Sequence, residues 1–237
     1  MRRIGIIGGM SWESTQLYYR LINERVRSVK GGLSSAPLLI HSVDFAPVAA
    51  MQSASDWAGL TAMMVSAGRD LRAAGAQALA IATNTMHKMA GEVIAATDLP
   101  LIHIADATAT AIRADGLSRV ALLTPFFPAG DEAAKAALEA AGLIVPRVLG
   151  LRAPGPAAIG RIGLDRLREA VRELDGPDVE AIVQLGTNLP FATVAREAEA
   201  ALGKPVLATN PVTYWHALRR AGIADRIAGA GRLFVVA

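Results

Sequence analysis

Short apolar stretches alternate with longer helical ones along this chain, and the whole series runs through twice. The first series places strands at 3–7, 37–43, 78–82 and 101–104, with helices at 15–29, 57–74 and 85–96. The second places strands at 119–123, 143–148, 181–185 and 206–208, with helices up to 140 and at 164–174, 192–202 and 213–221. Strands that alternate with helices pair in parallel, because each return to the same sheet edge needs a crossover long enough to hold a helix. Landmarks recur in the same order. Thr83-Asn84 and Thr187-Asn188 each follow an apolar strand, 104 positions apart. Pro100 and Pro205 each precede a strand, 105 apart, and residues 3–7 align with 119–123 at an offset of 116. The expected fold is therefore α/β, with two pseudo-symmetric lobes, each a parallel sheet flanked by helices. The expected bounds are 1–116 and 117–208, with a helix and tail over 209–237 returning to the first lobe.

Two such lobes facing each other make a cleft. Ligands of open α/β sheets sit beyond the carboxyl ends of the strands. Gly9, Thr83, Thr124 and Thr187 all fall just after strands and are expected to converge on one pocket in that inter-lobe cleft.

Composition removes several classes of function. Hydrophobic residues make up 52% of the 237, enough for a sizeable core. Aromatics are only 5%, so Ala, Leu, Ile and Val carry the packing. Lys and Arg number 24 against 21 Asp and Glu, interspersed for a net +3. The basic runs, at 25–30 and at Arg219-Arg220, are short and lack interleaved aromatics, which argues against nucleic acid as a partner. No apolar run reaches membrane length and no targeting signal is visible, so the expectation is a cytoplasmic protein without a membrane partner. There is no cysteine, which excludes disulfides, thiolate metal sites and thiol catalysis. His41, His87, His103 and His216 show no paired helical spacing, and no metal site is expected.

The loop Gly8-Gly9-Met10-Ser11 follows the first strand, with Ser11 placed to cap the next helix and Glu13 in its first turn. It is not the G-x-G-x-x-G dinucleotide fingerprint, and no clear acidic residue stands at the ribose position about 20 residues on, so a dinucleotide site is disfavoured. Its glycines let backbone N–H groups approach a carboxylate. Thr83-Asn84-Thr85 and Thr187-Asn188 offer hydroxyl, amide and backbone donors where helices begin. Thr and Asn are also favoured helix caps, but the symmetric pair favours a binding site. His87 stands one helical turn beyond Thr83, to pack, orient a ligand or move a proton. His216 is similarly open, and Asp106 is placed to cap the next helix or buttress the pocket.

At these residues the chain resembles the bacterial aspartate/glutamate racemases. The resemblance is carried by Gly8-Gly9-Met10-Ser11-Trp12-Glu13-Ser14-Thr15, by Tyr18-Tyr19-Arg20 with Asn23, and by His41-Ser42-Val43-Asp44-Phe45. Thr83-Asn84-Thr85-Met86-His87-Lys88 and His103-Ile104-Ala105-Asp106-Ala107-Thr108 extend it over the first half. In the second half, Ala158-Ile159-Gly160-Arg161, Gly186-Thr187-Asn188-Leu189, Gly203-Lys204-Pro205-Val206 and Trp215-His216-Ala217-Leu218-Arg219 look more like the arylmalonate decarboxylase and maleate isomerase branch of the same superfamily. The two patterns join near Asp115 to Val120.

The resemblance implies an aspartate/glutamate racemase-like fold and cofactor-independent chemistry on a small carboxylate, an amino acid or a dicarboxylate. One group on each lobe faces the substrate α-carbon; one removes the proton and the other returns it on the opposite face. The matching positions are Thr83 and Thr187, where family members usually carry cysteine. A cysteine thiol ionises near pH 8.5, whereas an aliphatic hydroxyl needs a neighbouring base. The resemblance also implies substrate contacts from Met10, Ser11, Gln52, Asn84, Thr85, Thr124, Asn188 and Leu189, support from His87 and His216, and a homodimer. Thr124-Pro125-Phe126-Phe127 departs from the family pattern and leaves side-chain specificity open. Three readings stand: an aspartate or glutamate racemase, a dicarboxylate decarboxylase or cis–trans isomerase, and a non-catalytic carboxylate-binding protein.

Overall fold

The computed structural model describes residues 3–220 and 233, apart from the side chains of residues 156, 157, 218 and 220. Within these the chain divides into two compact units, 3–103 with 216–220, and 104–215 with 233. Residue 221 and the tail beyond it, except 233, lie outside the described residues.

The first unit contains β1 (Ile4–Gly8), α1 (Trp12–Lys30), β2 (Leu38–Ser42), α2 (Phe45–Ser53), α3 (Trp57–Ala73), β3 (Ala78–Ile81), α4 (Ala90–Thr97) and β4 (Leu101–Ile102). A 3-10 turn over Thr85–Met89 precedes α4. The strands form one parallel sheet in the order β2-β1-β3-β4. β1 and β3 are buried on both faces, which explains their unbroken apolar runs. Leu60, Met64, Ala67 and Leu71 of α3, at helical spacing, meet Leu79 and Ile81 of β3 in the core.

The second unit contains α5 (Ile104–Ala114), β5 (Arg119–Thr124), α6 (Pro128–Ala140), β6 (Ile144–Gly150), α7 (Pro156–Ile159), α8 (Leu164–Leu174), β7 (Ala181–Gln184), α9 (Ala192–Leu202) and β8 (Val206–Ala208). α10 (Thr209–Arg220) follows β8 directly. This sheet is also parallel, in the order β6-β5-β7-β8. Leu167, Ala170, Val171 and Leu174 form the apolar stripe of α8, packed with Phe191, Val194 and Ala195.

The two sheets repeat in register. Ile7 pairs with Ile81, and Leu123 with Gln184. Gly8 pairs with Ser42, and Thr124 with Gly150. Even the bonds beyond the strands recur: Ala82 N–H donates to the Ile7 carbonyl and Leu185 N–H to that of Leu123, both at 2.9 Å.

Some elements differ from the sequence expectation. α1 begins at Trp12 rather than 15, and the span 85–96 divides into a 3-10 turn and α4. α10 begins at Thr209 rather than 213, because Pro211 falls in its first turn, where a missing N–H is tolerated. α5 begins at Ile104, inside the strand expected over 101–104, and exposes Asp106, Thr110, Arg113 and Ala114 along one face while the opposite face is buried.

Candidate functional site

In each unit the chain leaves the second strand in the sheet order for strands on either side of it. β1 leads to β2 on one flank and is paired with β3 on the other; β5 stands likewise between β6 and β7. This reversal of direction opens a crevice at the carboxyl ends of the two central strands. Met10 and Ser11 follow β1, and Thr83, Asn84 and Thr85 follow β3. Thr124 ends β5, and Thr187, Asn188 and Leu189 follow β7. The structure thus brings the sequence-selected residues to the switch point of their own unit. Gln52 and His216 are exceptions, half-buried on α2 beyond β2 and on α10.

The loop after β1 is fixed by Thr15. Its hydroxyl accepts from Gly9 N–H at 2.9 Å and donates to the Ser11 carbonyl at 3.3 Å. Gly9 adopts φ +90°, and a Cβ there would lie 2.1 Å from the Val43 carbonyl oxygen. No other residue fits that position. Ser11 occupies the N-cap position of α1 but makes no side-chain cap bond; its hydroxyl donates to Ser14 Oγ at 3.4 Å.

The loop after β3 is fixed by His87, whose Nδ1 lies 2.8 Å from the Thr83 carbonyl. A carbonyl only accepts, so Nδ1 carries the proton. The imidazole is buried, and His103 packs edge-on against it at 4.7 Å between ring centroids. Burial pulls its pKa down to about 4 and His103 adds to this, while the carbonyls of Thr83, Ile102 and Asn84 oppose the change. His87 is therefore neutral near pH 7, a fixed donor rather than an acid. Asn84 stands at the N-cap of the 3-10 turn without a side-chain cap bond, and Thr83, Asn84 and Thr85 are all half-buried.

In the second unit Thr124 is fully buried. Its hydroxyl donates to Asp131 Oδ1 and accepts from Phe126 N–H at 3.1 Å. Gly150 gives Asp131 its room, since a Cβ there would lie 2.2 Å from the carboxylate. The Thr124 hydroxyl is thus engaged inside its own unit.

The loop after β7 is one residue longer than its counterpart. The strand register relates Ala82 to Leu185, so Thr187 stands one position further out than Thr83. The added residue is Gly186, at φ +134°, where a Cβ would press on Pro125 Cδ at 2.7 Å. Gln184 Nε2 donates to the Gly186 carbonyl at 2.8 Å, and Gly186 N–H donates to Thr209 Oγ1 at 3.1 Å. Asn210 Nδ2 donates to the Thr187 carbonyl at 2.8 Å. Neither Thr187 nor Asn188 caps a helix, for α9 starts after Phe191. A Cβ on Gly160 would lie 3.5 Å from Asn188 Nδ2, so the turn after α7 closes on that side chain. His216 is half-buried on α10 and Asp106 is exposed in the first turn of α5.

Sequence reasoning missed Thr15, Asp131, Gln184, Thr209 and Asn210. Thr15 and Asp131 were within reach, since they are related by the same offset of 116 as the strands before them. Among the described residues, no group of three or more His, Asp or Glu is placed to hold a metal ion, and no helix is long and apolar enough to cross a membrane.

Two repeated parallel sheets with polar loops at both switch points define a class of proteins, and comparison places the chain within it. The family model for Asp/Glu/hydantoin racemases matches residues 7–217, and the chain belongs to that family. It is 32% identical over 142 residues to an arylmalonate decarboxylase from Bordetella bronchiseptica, covering 59% of each chain. It is 23% identical over 137 residues to a maleate isomerase from Alcaligenes faecalis, covering 57% of this chain and 54% of that one. These matches span less than two thirds of the curated relatives' own length. A crystal structure from Yersinia pestis, provisionally named an Asp/Glu racemase, shares 32% identity and superposes with a TM-score of 0.77. That match covers 93% of this chain and 99% of the other.

Proposed function

We propose that this protein moves a proton at the α-carbon of a small carboxylic acid, without a cofactor, with aspartate and glutamate as the substrates to test first. The observation that carries the reading is the recurrence of a Thr-Asn pair just after the equivalent strand of each unit, β3 and β7. Two-base transfer needs one proton acceptor and one donor, and Thr83 and Thr187 are the residues proposed for these roles. Met10, Ser11, Gln52, Asn84, Thr85, Thr124, Asn188 and Leu189 are proposed to hold the substrate's polar groups, with His87 and His216 in support. Because Thr124 is engaged by Asp131, its proposed part is carried by the backbone it fixes. The family resemblance extends the proposal to a homodimer acting in the cytoplasm.

A threonine hydroxyl is a much weaker acid than a thiol, so the reading predicts slow turnover. His87 does not relieve this, for its Nδ1 proton is committed to a carbonyl. A second reading, decarboxylation or cis–trans isomerisation of a dicarboxylate, is supported by the names of the curated relatives. The test is loss of the α-proton NMR signal of L- and D-aspartate and glutamate in deuterated water. Exchange that stops in Thr83→Ala and in Thr187→Ala supports the reading. Exchange that persists in both, or that is missing from this chain and from Thr83→Cys/Thr187→Cys alike, overturns it. Carbon dioxide release from an arylmalonate, or fumarate formed from maleate, would establish the second reading.

A further inference from the structure

The carbonyl oxygens of Thr83 and Thr187 are held in the same way by unrelated residues. Each accepts a side-chain N–H at 2.8 Å, from His87 in the first unit and from Asn210 in the second. The repeat does not account for this. Four residues beyond Thr187 stands Phe191, which has no donor. Counting on from the equivalent residues Leu101 and Val206, the first-unit counterpart of Asn210 is Ala105, which has none either. The two units therefore reach the carbonyl of the Thr-Asn pair from different places in the chain.

The second clamp is part of a closed buried network. Thr209 Oγ1 donates to the Gln184 carbonyl at 2.5 Å while accepting from Gly186 N–H. Thr209 N–H in turn donates to Gln184 Oε1 at 3.3 Å. Gln184, Thr209 and Asn210 are each at most 5% exposed. Of these bonds, the one from Asn210 reaches Thr187 itself. Holding that carbonyl fixes the Thr187–Asn188 peptide plane, and so restrains the backbone from which the Thr187 side chain projects.

We propose that Asn210 is a positioning residue for Thr187, as His87 is for Thr83, and that the start of α10 is thereby built into the working site. The inference rests on the reading of Thr187 as a reacting position. A side chain displaced by about 1 Å from its productive place costs up to about a hundredfold in rate.

The chain has no cysteine, so Thr187→Cys introduces a single thiol that reports on this position. Its alkylation by iodoacetamide is measured against pH, alone and combined with Asn210→Leu. Ser53→Cys on the exposed end of α2 serves as control. The proposal expects alkylation of the thiol in the Thr187→Cys chain to rise about tenfold once the clamp is lost, with a shifted pH midpoint, while the control is unchanged. In the Thr83→Cys/Thr187→Cys chain, Asn210→Leu is expected to lower kcat for α-proton exchange about tenfold with little change in KM. Asn210→Asp, of the same shape, serves where the Leu variant does not fold and is expected to act in the same direction. Equal alkylation with and without Asn210, beside a lowered Tm, would make the residue merely structural and overturn the proposal. Released alkylation in a double-cysteine chain that shows no exchange would keep the clamp and sink the racemase reading instead.

Discussion

The loop after β1 is held by a helix hydroxyl, and the loop after β5 by a helix carboxylate. Both partners stand at the same place in the repeat, seven residues beyond the last residue of the strand. In the first unit the strand ends in Gly8, and the missing Cβ leaves room for Thr15, which would otherwise approach to 2.5 Å. In the second the strand ends in Thr124, and the room is found one strand over, at Gly150. One framework thus carries two exchanges of the same parts. What is preserved is a buried polar partner for the loop, and what varies is which side supplies the bulk. The contrast between His87 and Asn210 repeats the lesson at the next pair of strands.

The largest way to break this comparison is to refill the glycines. Gly9→Ala sets a Cβ against a backbone carbonyl, whereas Gly186→Ala sets one against the Pro125 ring. Both residues have positive φ. Gly9→Ala is expected to lose about 4 kcal/mol or more of stability, and Gly186→Ala about 2, by denaturant unfolding. Equal losses would mean that the two loops are under similar steric constraint.

Next in size is the pH response, which only the first unit should show through its clamp. Above pH 6.5 His87 is neutral in both folded and unfolded chains and contributes no slope. Between pH 6.5 and about 4 the unfolded chain takes up a proton that the folded chain refuses, so stability falls as pH falls. The fall levels off below about 4, after a loss of about 3 kcal/mol at most. His87→Asn should flatten this part of the profile, whereas Asn210→Leu should leave its slope unchanged. The same slope in both variants would contradict the assignment.

Smaller effects sharpen the comparison of the two locks. Asp131→Ala strands the buried Thr124 hydroxyl and is expected to cost about 2 kcal/mol. Thr15→Ala leaves Gly9 N–H without its acceptor and is expected to cost about 1 to 2 kcal/mol. Ser11→Ala, which removes no cap bond, should change stability by less than about 0.5 kcal/mol.

Much of this was legible in the chain. The two-lobe α/β fold followed from strand order and from Thr-Asn and Pro landmarks at matched offsets, because both the apolar runs and the turns are set locally. The same local signals placed the loops that hold Met10, Ser11, Thr83 and Thr187 just after strands. The locks were less so. Asp131 and Asn210 act across 7 and 23 positions of sequence, and their partners are a hydroxyl and a backbone carbonyl that no spacing rule singles out. Gly186 was hidden because the Thr-Asn offset of 104 conceals a strand register of 103 plus one inserted residue. Ser11 shows the opposite error, since a residue of the right type at a cap position makes no cap bond.

The central proposal is that Thr83 and Thr187 supply the two groups, acceptor and donor, of a single proton transfer. Its most direct test is α-proton exchange in deuterated water by Thr83→Cys and Thr187→Cys separately, each given pure L- and pure D-aspartate. A single thiol removes and returns hydrogen on one face, so one variant should exchange the L form and the other the D form. Inversion should be much slower than exchange in each, because its partner group is still a threonine, while the double variant should racemise both forms at a rate close to that of exchange. Exchange of the same enantiomer by both single variants, or none by the double variant, would contradict the claim.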